Sequence, residues 1–225
     1  MNLLAIETST ETCSVAISMG GEVLERYQHA PRLHAELLLP WVEQLLAEAG
    51  IGFSSVDAIA FSRGPGSFTS LRIGIGVVQG LAWASDRPVI PVSSLAATAQ
   101  TASNEGIESA LVALDARMNE VFTGTFEING KGLMVPVTAE KVCGPGDIEV
   151  PKHSGTYGIG NGFDRYPALE EVSGQLLGIR SDIWPKASSM LKLAQEWLNT
   201  HQPLSAEQAQ PVYLRDNVAI KEKDR

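Results

Sequence analysis

The chain has 225 residues, of which 44% are hydrophobic, and its formal net charge is −9. This length and composition are those of a globular protein with one large domain or two small ones. Nucleic-acid sites need clustered lysine and arginine, so the acidic balance argues against direct nucleic-acid binding by this chain alone. The sequence has neither an apolar run of 18 residues nor a signal-peptide pattern, and its two cysteines are too few for a disulfide framework. We therefore predict a cytoplasmic protein with no membrane contact.

The amino-terminal segment predicts a three-stranded meander. Leu3–Glu7 is a short apolar strand that ends in an acid. Ser14–Ser18 and Glu22–Gln28 follow as two strands on either side of Gly20-Gly21, a dipeptide typical of a hairpin turn.

The segment from His34 to Ala49 has helical spacing and is stopped by Gly50. Its apolar arc is wider than the roughly 100° that packing against one sheet requires. The arc consists of Leu37, Leu38, Trp41, Val42, Leu45, Leu46 and Ala49. Because tryptophan is a frequent interface anchor, a second burial surface is favoured over a plain buried helix. Pro40 predicts a kink, or a break near Leu39.

The most informative stretch is residues 64–80, GPGSFTSLRIGIGVVQG. It follows an apolar strand, Val56–Phe61, and leads into a predicted helix over Thr69–Ala84. Ser67 or Thr69 is placed to cap the exposed amides of that helix.

Small residues recur every four positions in this helix, at Gly76, Gly80 and Ala84. Glycine costs a helix about 1 kcal/mol relative to alanine, so its presence needs a reason. The three positions form one smooth stripe that another helix backbone could approach closely. Spacing alone favours internal packing of this stripe over a partner surface.

The pattern of the opening returns in the second half, where Leu111–Asp115 repeats the four apolar residues and the acid of Leu3–Glu7. A single duplication predicts two related lobes, residues 1–103 and 104–225, in an α/β fold with a mixed sheet and flanking helices in each. The second meander continues with Glu120–Glu127, the turn Asn129-Gly130 and Leu133–Val137. The other predicted elements are a strand at Pro88–Pro91, helices at Ser93–Ala102 and Met190–Leu198, a glycine-rich loop at Gly155–Gly162, and a closing segment at Gln210–Val218 that belongs to the second lobe or returns to the first.

An acid ends the first strand of each lobe, the place where actin-like ATPases hold a metal–phosphate group. The candidate nucleotide-binding residues are Glu7, Thr8, Ser9, Thr10, Asp115 and Gly160. Phosphate loops use glycine or bare amides to approach oxygen atoms closely. Neither loop after these strands contains glycine, and Glu11 adds repulsion, so the favoured interpretation is that both acids brace their hairpins.

Other catalytic patterns are missing from the sequence. The turn at residues 64–67 lacks the lysine of a Walker loop, so a phosphate cradle is not favoured there. The four histidines, His29, His34, His153 and His201, have no metal-ligand spacing, and no nucleophile elbow marks a triad. We therefore predict no catalytic residue and no metal site.

Five segments resemble the TsaB (YeaZ) family, in the same order and over nearly the whole chain. They are residues 4–10 (LAIETST), 64–69 (GPGSFT), 71–74 (LRIG), 114–117 (LDAR) and 211–215 (PVYLR). The resemblance implies an actin-like (ASKHA) fold of two duplicated lobes. Ser70 departs from the family's usual glycine and adds a side chain at the helix start.

The resemblance also implies a role in making threonylcarbamoyladenosine, the modified base beside the anticodon of tRNAs that read A-starting codons. In that system TsaD transfers the threonylcarbamoyl group, and TsaB is a non-catalytic subunit that works with TsaE. TsaB pairs with TsaD through helices and can form a homodimer by the same face. TsaD holds its metal with a histidine pair, whereas residues 32–37 of this chain contain only His34. The resemblance thus implies no intrinsic cofactor, ATP and Mg²⁺ only at a site shared with partners, and tRNA reached only indirectly.

The predicted partner-binding residues lie on the two helices: His34, Leu37, Leu38, Trp41, Leu45, Arg72, Ile73, Gly76, Val77 and Gly80. The alternative hypothesis is an enzyme that acts on its own, either an ATP hydrolase using Glu7 and Asp115 or a peptidase. The peptidase form lacks a nucleophile or a metal set. ATP turnover by the purified chain discriminates the hydrolase from the binding subunit.

Overall fold

A computed structural model describes residues 1–151 and 155–215, which form two mixed β-sheets with flanking helices. The strands are β1 Leu3–Glu7, β2 Thr12–Met19, β3 Glu22–His29, β4 Ala58–Gly64, β5 Val89–Ser93, β6 Ser109–Arg117, β7 Glu120–Ile128, β8 Met134–Pro136, β9 Lys141–Cys143, β10 Tyr157–Ile159 and β11 Gly178–Arg180. The helices are α1 His34–Glu48, α2 Phe68–Ser85, α3 Ser94–Ser103, α4 Gly162–Arg165, α5 Glu170–Ser173 and α6 Ala187–Thr200.

The two sheets have the same strand order. The first is β3-β2-β1-β4-β5 and the second is β8-β7-β6-β10-β11, with β9 added on β7. In each, the meander is antiparallel and the two strands beyond it are parallel. This repeat confirms the duplicated α/β fold that the two apolar-then-acid segments predicted.

Two local predictions are wrong. The glycine-rich segment expected to be a loop contains β10, because three residues between two strands are too few to show a periodic pattern. Of the two alternatives predicted at Pro40, the break near Leu39 is wrong, because helix α1 continues through it, and the kink stays a prediction. Pro40 and the residue one turn before it, Glu36, both lie on the exposed side, where water can bond the carbonyl that proline leaves unpaired.

Each sheet is covered by a helix from the other half of the sequence. Helix α3 packs on the second sheet, where Leu95 and Ala99 join Val112 and Phe126 in one buried cluster. Helix α6 packs on the first sheet and buries Met190 against the β1, β4 and β5 side chains. The exchange of helices ties the two sheets together.

Helix α2 lies unusually close to the loop that follows β1. A Cβ atom on Gly74 would come within 2.2 Å of Thr8 Oγ1, and one on Gly66 within 2.2 Å of the Ser9 carbonyl oxygen. The Ser67 amide donates to that same carbonyl at 2.7 Å. Only glycine permits this approach, so the contact sets the position of α2.

The stripe at Gly76 and Gly80 has no such role inside the chain. A Cβ atom on either residue would meet no atom within 4 Å. The prediction that this stripe packs internally is therefore wrong, because α2 turns it away from its own sheet.

The last described segment runs along α2 and then reaches the second sheet. The Val212 amide donates to the Arg63 carbonyl at 2.7 Å, and the Arg215 guanidinium donates to the Ala116 carbonyl at 3.1 Å. The predicted closing segment is described as far as Arg215; the mixed-charge tail 221–225 and residue 153 lie outside the described residues. Within the described part, no helix has both the length and the apolar character of a membrane span.

Alanine at two glycines of α2 should change stability in opposite directions. We expect Gly74→Ala to destabilise the fold by about 1–3 kcal/mol, because its methyl group collides with Thr8. Gly76→Ala should stabilise it by about 0.5–1 kcal/mol, because it adds helix propensity in open space. Urea unfolding followed by circular dichroism, on monomeric samples, measures both. Shifts of the same sign would contradict this account of the helix.

Candidate functional site

The outward side of α2 is an open surface with an exposed tryptophan. We define the α2 face as Phe68, Arg72, Gly76, Gly80, Trp83 and Ala84, all of them exposed. Trp83 is 77% exposed and lies three residues after Gly80, on the same side of the helix. A large exposed aromatic side chain next to exposed glycines is typical of an interaction surface.

The structure divides the predicted partner residues into two groups. Arg72, Gly76 and Gly80 belong to the α2 face, and half-buried residues lie beside it: Leu37, Trp41, Ile73 and Val77. His34, Leu38 and Leu45 are at most 1% exposed, so they do not belong to the surface of this chain, and their role in partner binding stays a prediction. They form the side of α1 that faces the chain's own core, which the apolar arc alone does not distinguish from its outer edge.

Sequence reasoning missed Phe68, Trp83 and Tyr213 as surface residues. The Arg72 guanidinium carbon lies 3.7 Å from the centre of the Phe68 ring, and its Nε donates to the Tyr213 hydroxyl at 3.1 Å. The Phe68 and Tyr213 rings are 5.6 Å apart. This cluster holds Arg72 in place at one end of the α2 face. The one available signal for Trp83 was its spacing from Gly76 and Gly80.

A cleft of about 900 Å³ opens between the two lobes. The loop after β1, the amino end of α2 and the loop after β6 line it together. Of the predicted nucleotide-binding residues, Ser9, Thr10 and Asp115 line this cleft. Glu7 and Thr8 are buried, and Gly160 has its Cβ position 2.7 Å from the Ala113 carbonyl. A nucleotide role for these residues stays a prediction.

Glu7 ends β1 and Asp115 lies two residues before the end of β6, and each accepts a hydrogen bond from a backbone amide just beyond it. The Glu7 carboxylate accepts a hydrogen bond from the Ser9 amide, and Asp115 Oδ1 accepts one from the Arg117 amide at 2.8 Å. The Asp115 loop needs support, because its residues 117–119 all have left-handed backbone angles, with φ between 54° and 60°. This geometry supports the interpretation that the acids brace their hairpins.

Asp115 is fully engaged by its neighbours. Its carboxylate accepts from the Tyr166 hydroxyl and forms ion pairs with Arg117 at 3.1 Å and Arg165 at 3.4 Å. Its side chain is 4% exposed. In the described part of the chain, no three His, Cys, Asp or Glu side chains come together as a metal site would need.

Glu7 is electrostatically distinct because it is completely buried. Desolvation raises its pKa from 4.5 to about 7, against the opposing effect of hydrogen bonds from Ser9 and Ser62. Its Oε2 atom has no hydrogen-bond partner among the described residues. Burial next to the Glu7 charge also raises the pKa of the Cys13 thiol to about 12, so that thiol is unreactive.

Comparisons with known proteins place these features in a family. Residues 28–223 match the model of a family described as TsaD, tRNA N6-adenosine threonylcarbamoyltransferase. The tRNA threonylcarbamoyladenosine biosynthesis protein TsaB of Haemophilus influenzae is 40% identical over 98% of this chain and 96% of its own length. TsaB of Escherichia coli K12 is 38% identical over 98% of this chain and 97% of its own. The structure of YeaZ from Pseudomonas aeruginosa superposes with a TM-score of 0.87 at 44% identity, covering 95% of this chain and 99% of that one.

Replacing Glu7 should change the pH dependence of stability. The folded chain keeps the Glu7 proton up to about pH 7, whereas the unfolded chain loses it near 4.5. The stabilisation that protonated Glu7 gives the fold is therefore complete below pH 4.5 and is lost as the pH rises towards 7. The Glu7→Gln side chain cannot ionise. The free energy of unfolding of this variant, relative to that of wild type, should therefore rise by on the order of 3 kcal/mol between pH 4 and pH 8.

Urea unfolding at several pH values measures this difference. Glu149→Gln is the control, because Glu149 is an exposed carboxylate whose loss should leave the profile nearly unchanged. Parallel pH profiles for wild type and Glu7→Gln would rule out a raised pKa at Glu7.

Proposed function

The chain belongs to the TsaB family, and from this premise we propose that it is a non-catalytic subunit of tRNA threonylcarbamoyladenosine biosynthesis that binds TsaD through α1 and α2. The observation that carries this proposal is the uncovered α2 face. Trp83 and the open glycines form a surface that a partner helix can approach closely.

The chemistry of the partner follows from the α2 face. Glycine at positions 76 and 80 leaves room for a partner backbone at short distance, as small residues do wherever helices pack tightly. Trp83 supplies a large apolar anchor, and Arg72 supplies a fixed positive charge. The same face would serve a homodimer of this chain, so TsaD and a second copy would compete for it.

The absence of catalysis is supported by the state of the two acids. Glu7 is buried without access to solvent, and Asp115 is held by two arginines and a tyrosine. Neither is poised to hold a metal–phosphate group. ATP with Mg²⁺ would then bind only at a site shared with partners.

The remaining parts of the proposal concern the assembly. The net charge of −9 disfavours tRNA contact, so tRNA would be bound by the partners. TsaE would join the complex of TsaD and this chain in the cytoplasm. The competing candidate is an ATP hydrolase, because one 900 Å³ cleft is lined by Asp115 and by the loop next to Glu7.

A large side chain at an exposed glycine of the α2 face should strongly weaken partner binding without unfolding the chain. We expect Gly76→Leu to weaken binding of TsaD from the same organism at least a hundredfold, because its side chain prevents close approach. Trp83→Ala should weaken it about tenfold or more through the lost anchor. Isothermal titration without nucleotide measures both affinities.

Gly130→Leu is the matched control. Gly130 is an exposed glycine of the second lobe whose Cβ position is equally open, so its replacement should leave the affinity unchanged. Unchanged affinity for a folded Gly76→Leu variant would place the interface elsewhere. ATP turnover by the purified chain that is abolished in Asp115→Asn would favour the hydrolase instead.

A further inference from the structure

We propose that Arg72 binds a carboxylate on a helix of the partner protein, and that this ion pair fixes where the partner lies on the α2 face. The inference rests on the proposed function, because it concerns the surface that we assign to TsaD. It adds the chemical group that the partner presents, which is an aspartate or glutamate side chain about one helical turn from the point where the partner backbone crosses the glycines.

Arg72 carries the only charge of helix α2. The other residues of this helix, from Phe68 to Ser85, are apolar or neutral, so no acid on the same helix neutralises the guanidinium. Among the described residues Arg72 forms no ion pair, whereas most other arginines do: Arg26, Arg63, Arg117, Arg165, Arg180 and Arg215. In a chain with 26 acidic and 17 basic residues, an arginine without a carboxylate indicates that another molecule supplies one.

The Arg72 guanidinium is held in one orientation although the residue is exposed. Its carbon lies 3.7 Å from the centre of the Phe68 ring, and its Nε donates to the Tyr213 hydroxyl at 3.1 Å. These contacts occupy one face of the guanidinium and one nitrogen. The two terminal nitrogens have no acceptor among the described residues, and together they match the two oxygens of a carboxylate. An arginine that is already held loses less conformational entropy when it binds.

Arg72 lies in line with the exposed glycines. Phe68, Arg72, Gly76 and Gly80 follow each other at intervals of four residues, so they lie on one side of the helix. One turn, about 6 Å, separates Arg72 from Gly76 along the helix axis. A Cβ atom on either glycine would meet no atom within 4 Å, so a partner helix can pack closely there. Such a helix passes within reach of the guanidinium.

The surroundings of Arg72 favour a protein carboxylate over a nucleic-acid phosphate. Nucleic-acid sites cluster several lysines and arginines, whereas Arg72 is the single charged residue of the α2 face. Its neighbours on that face include the exposed aromatic residues Phe68 and Trp83. Arginine and aromatic residues together are enriched at protein–protein interfaces.

Isothermal titration of Arg72 variants with TsaD from the same organism tests the ion pair. We expect Arg72→Gln to weaken binding about tenfold and Arg72→Glu about a hundredfold, because the first removes an attractive charge and the second adds a repulsive one. Arg72→Lys should recover part of the loss, since it restores the charge without the planar guanidinium. Between about 50 mM and 500 mM sodium chloride, affinity should fall more steeply for wild type than for Arg72→Gln, because only wild type has this ion pair for salt to screen.

Tyr213→Phe tests whether the guanidinium is held before binding. This change removes the hydroxyl that accepts from Arg72 Nε and keeps the aromatic ring. Affinity for TsaD should fall about threefold, because ordering the guanidinium then costs more, while the salt dependence stays that of wild type.

Arg180→Gln is the matched control, because it removes the same charge from an arginine of the second lobe that is paired with Glu105 and Asp182. Its affinity for TsaD should stay within about twofold of wild type. Equal effects of Arg180→Gln and Arg72→Gln would overturn the ion pair, as would wild-type affinity and salt dependence in Arg72→Gln. Either result would leave the proposed function standing.

Two further outcomes would also overturn the inference. If Arg72→Gln kept its affinity for TsaD but weakened binding of tRNA to the complex, the guanidinium would be assigned to a phosphate. If wild type itself did not bind TsaD, the proposed function would fail together with the ion pair.

Discussion

The close contact between α2 and the loop after β1 determines where the α2 face and the amino end of α2 in the cleft lie. Gly66 and Gly74 let the helix rest directly on Thr8 and Ser9, at distances that any Cβ atom would forbid. Because the helix is held at that end, its first amides reach the cleft. Its opposite side, with Gly76, is turned outward at the same time. One packing constraint therefore positions both the α2 face and one wall of the cleft on a single helix.

The two duplicated hairpins share one backbone contact but differ in the charges around their acids. The first strand of each sheet carries an acid at or near its end that binds the amide two residues further on, at Ser9 and at Arg117. Asp115 also gains two arginines, which compensate its charge. Among the described residues no cation pairs with Glu7, which is completely buried, so its charged form is disfavoured and its pKa rises. Holding the loop after β1 thus places an acid where burial disfavours its charged form.

Sequence reasoning predicted the fold well because the fold rests on local signals: apolar strands, the Gly20-Gly21 turn and the repeated strand–acid pattern. It failed where the question was which side of a helix faces the core and which side faces the surface. Periodicity placed Gly76 and Gly80 on one stripe but could not tell inside from outside, since glycine carries no polarity. The same limit applies to α1, where Leu38 belongs to the apolar arc yet faces the core. Trp83 was missed because a large aromatic residue is ordinarily read as core.

The cleft and the α2 face share side chains, so they are not independent surfaces. Phe68 lines the cleft, and its ring carries the Arg72 guanidinium at 3.7 Å, on the α2 face. Tyr213 holds Arg72 from the carboxyl-terminal segment, two residues before Arg215, which lines the cleft. A group that fills the cleft beside Phe68 therefore touches the residue that orients Arg72.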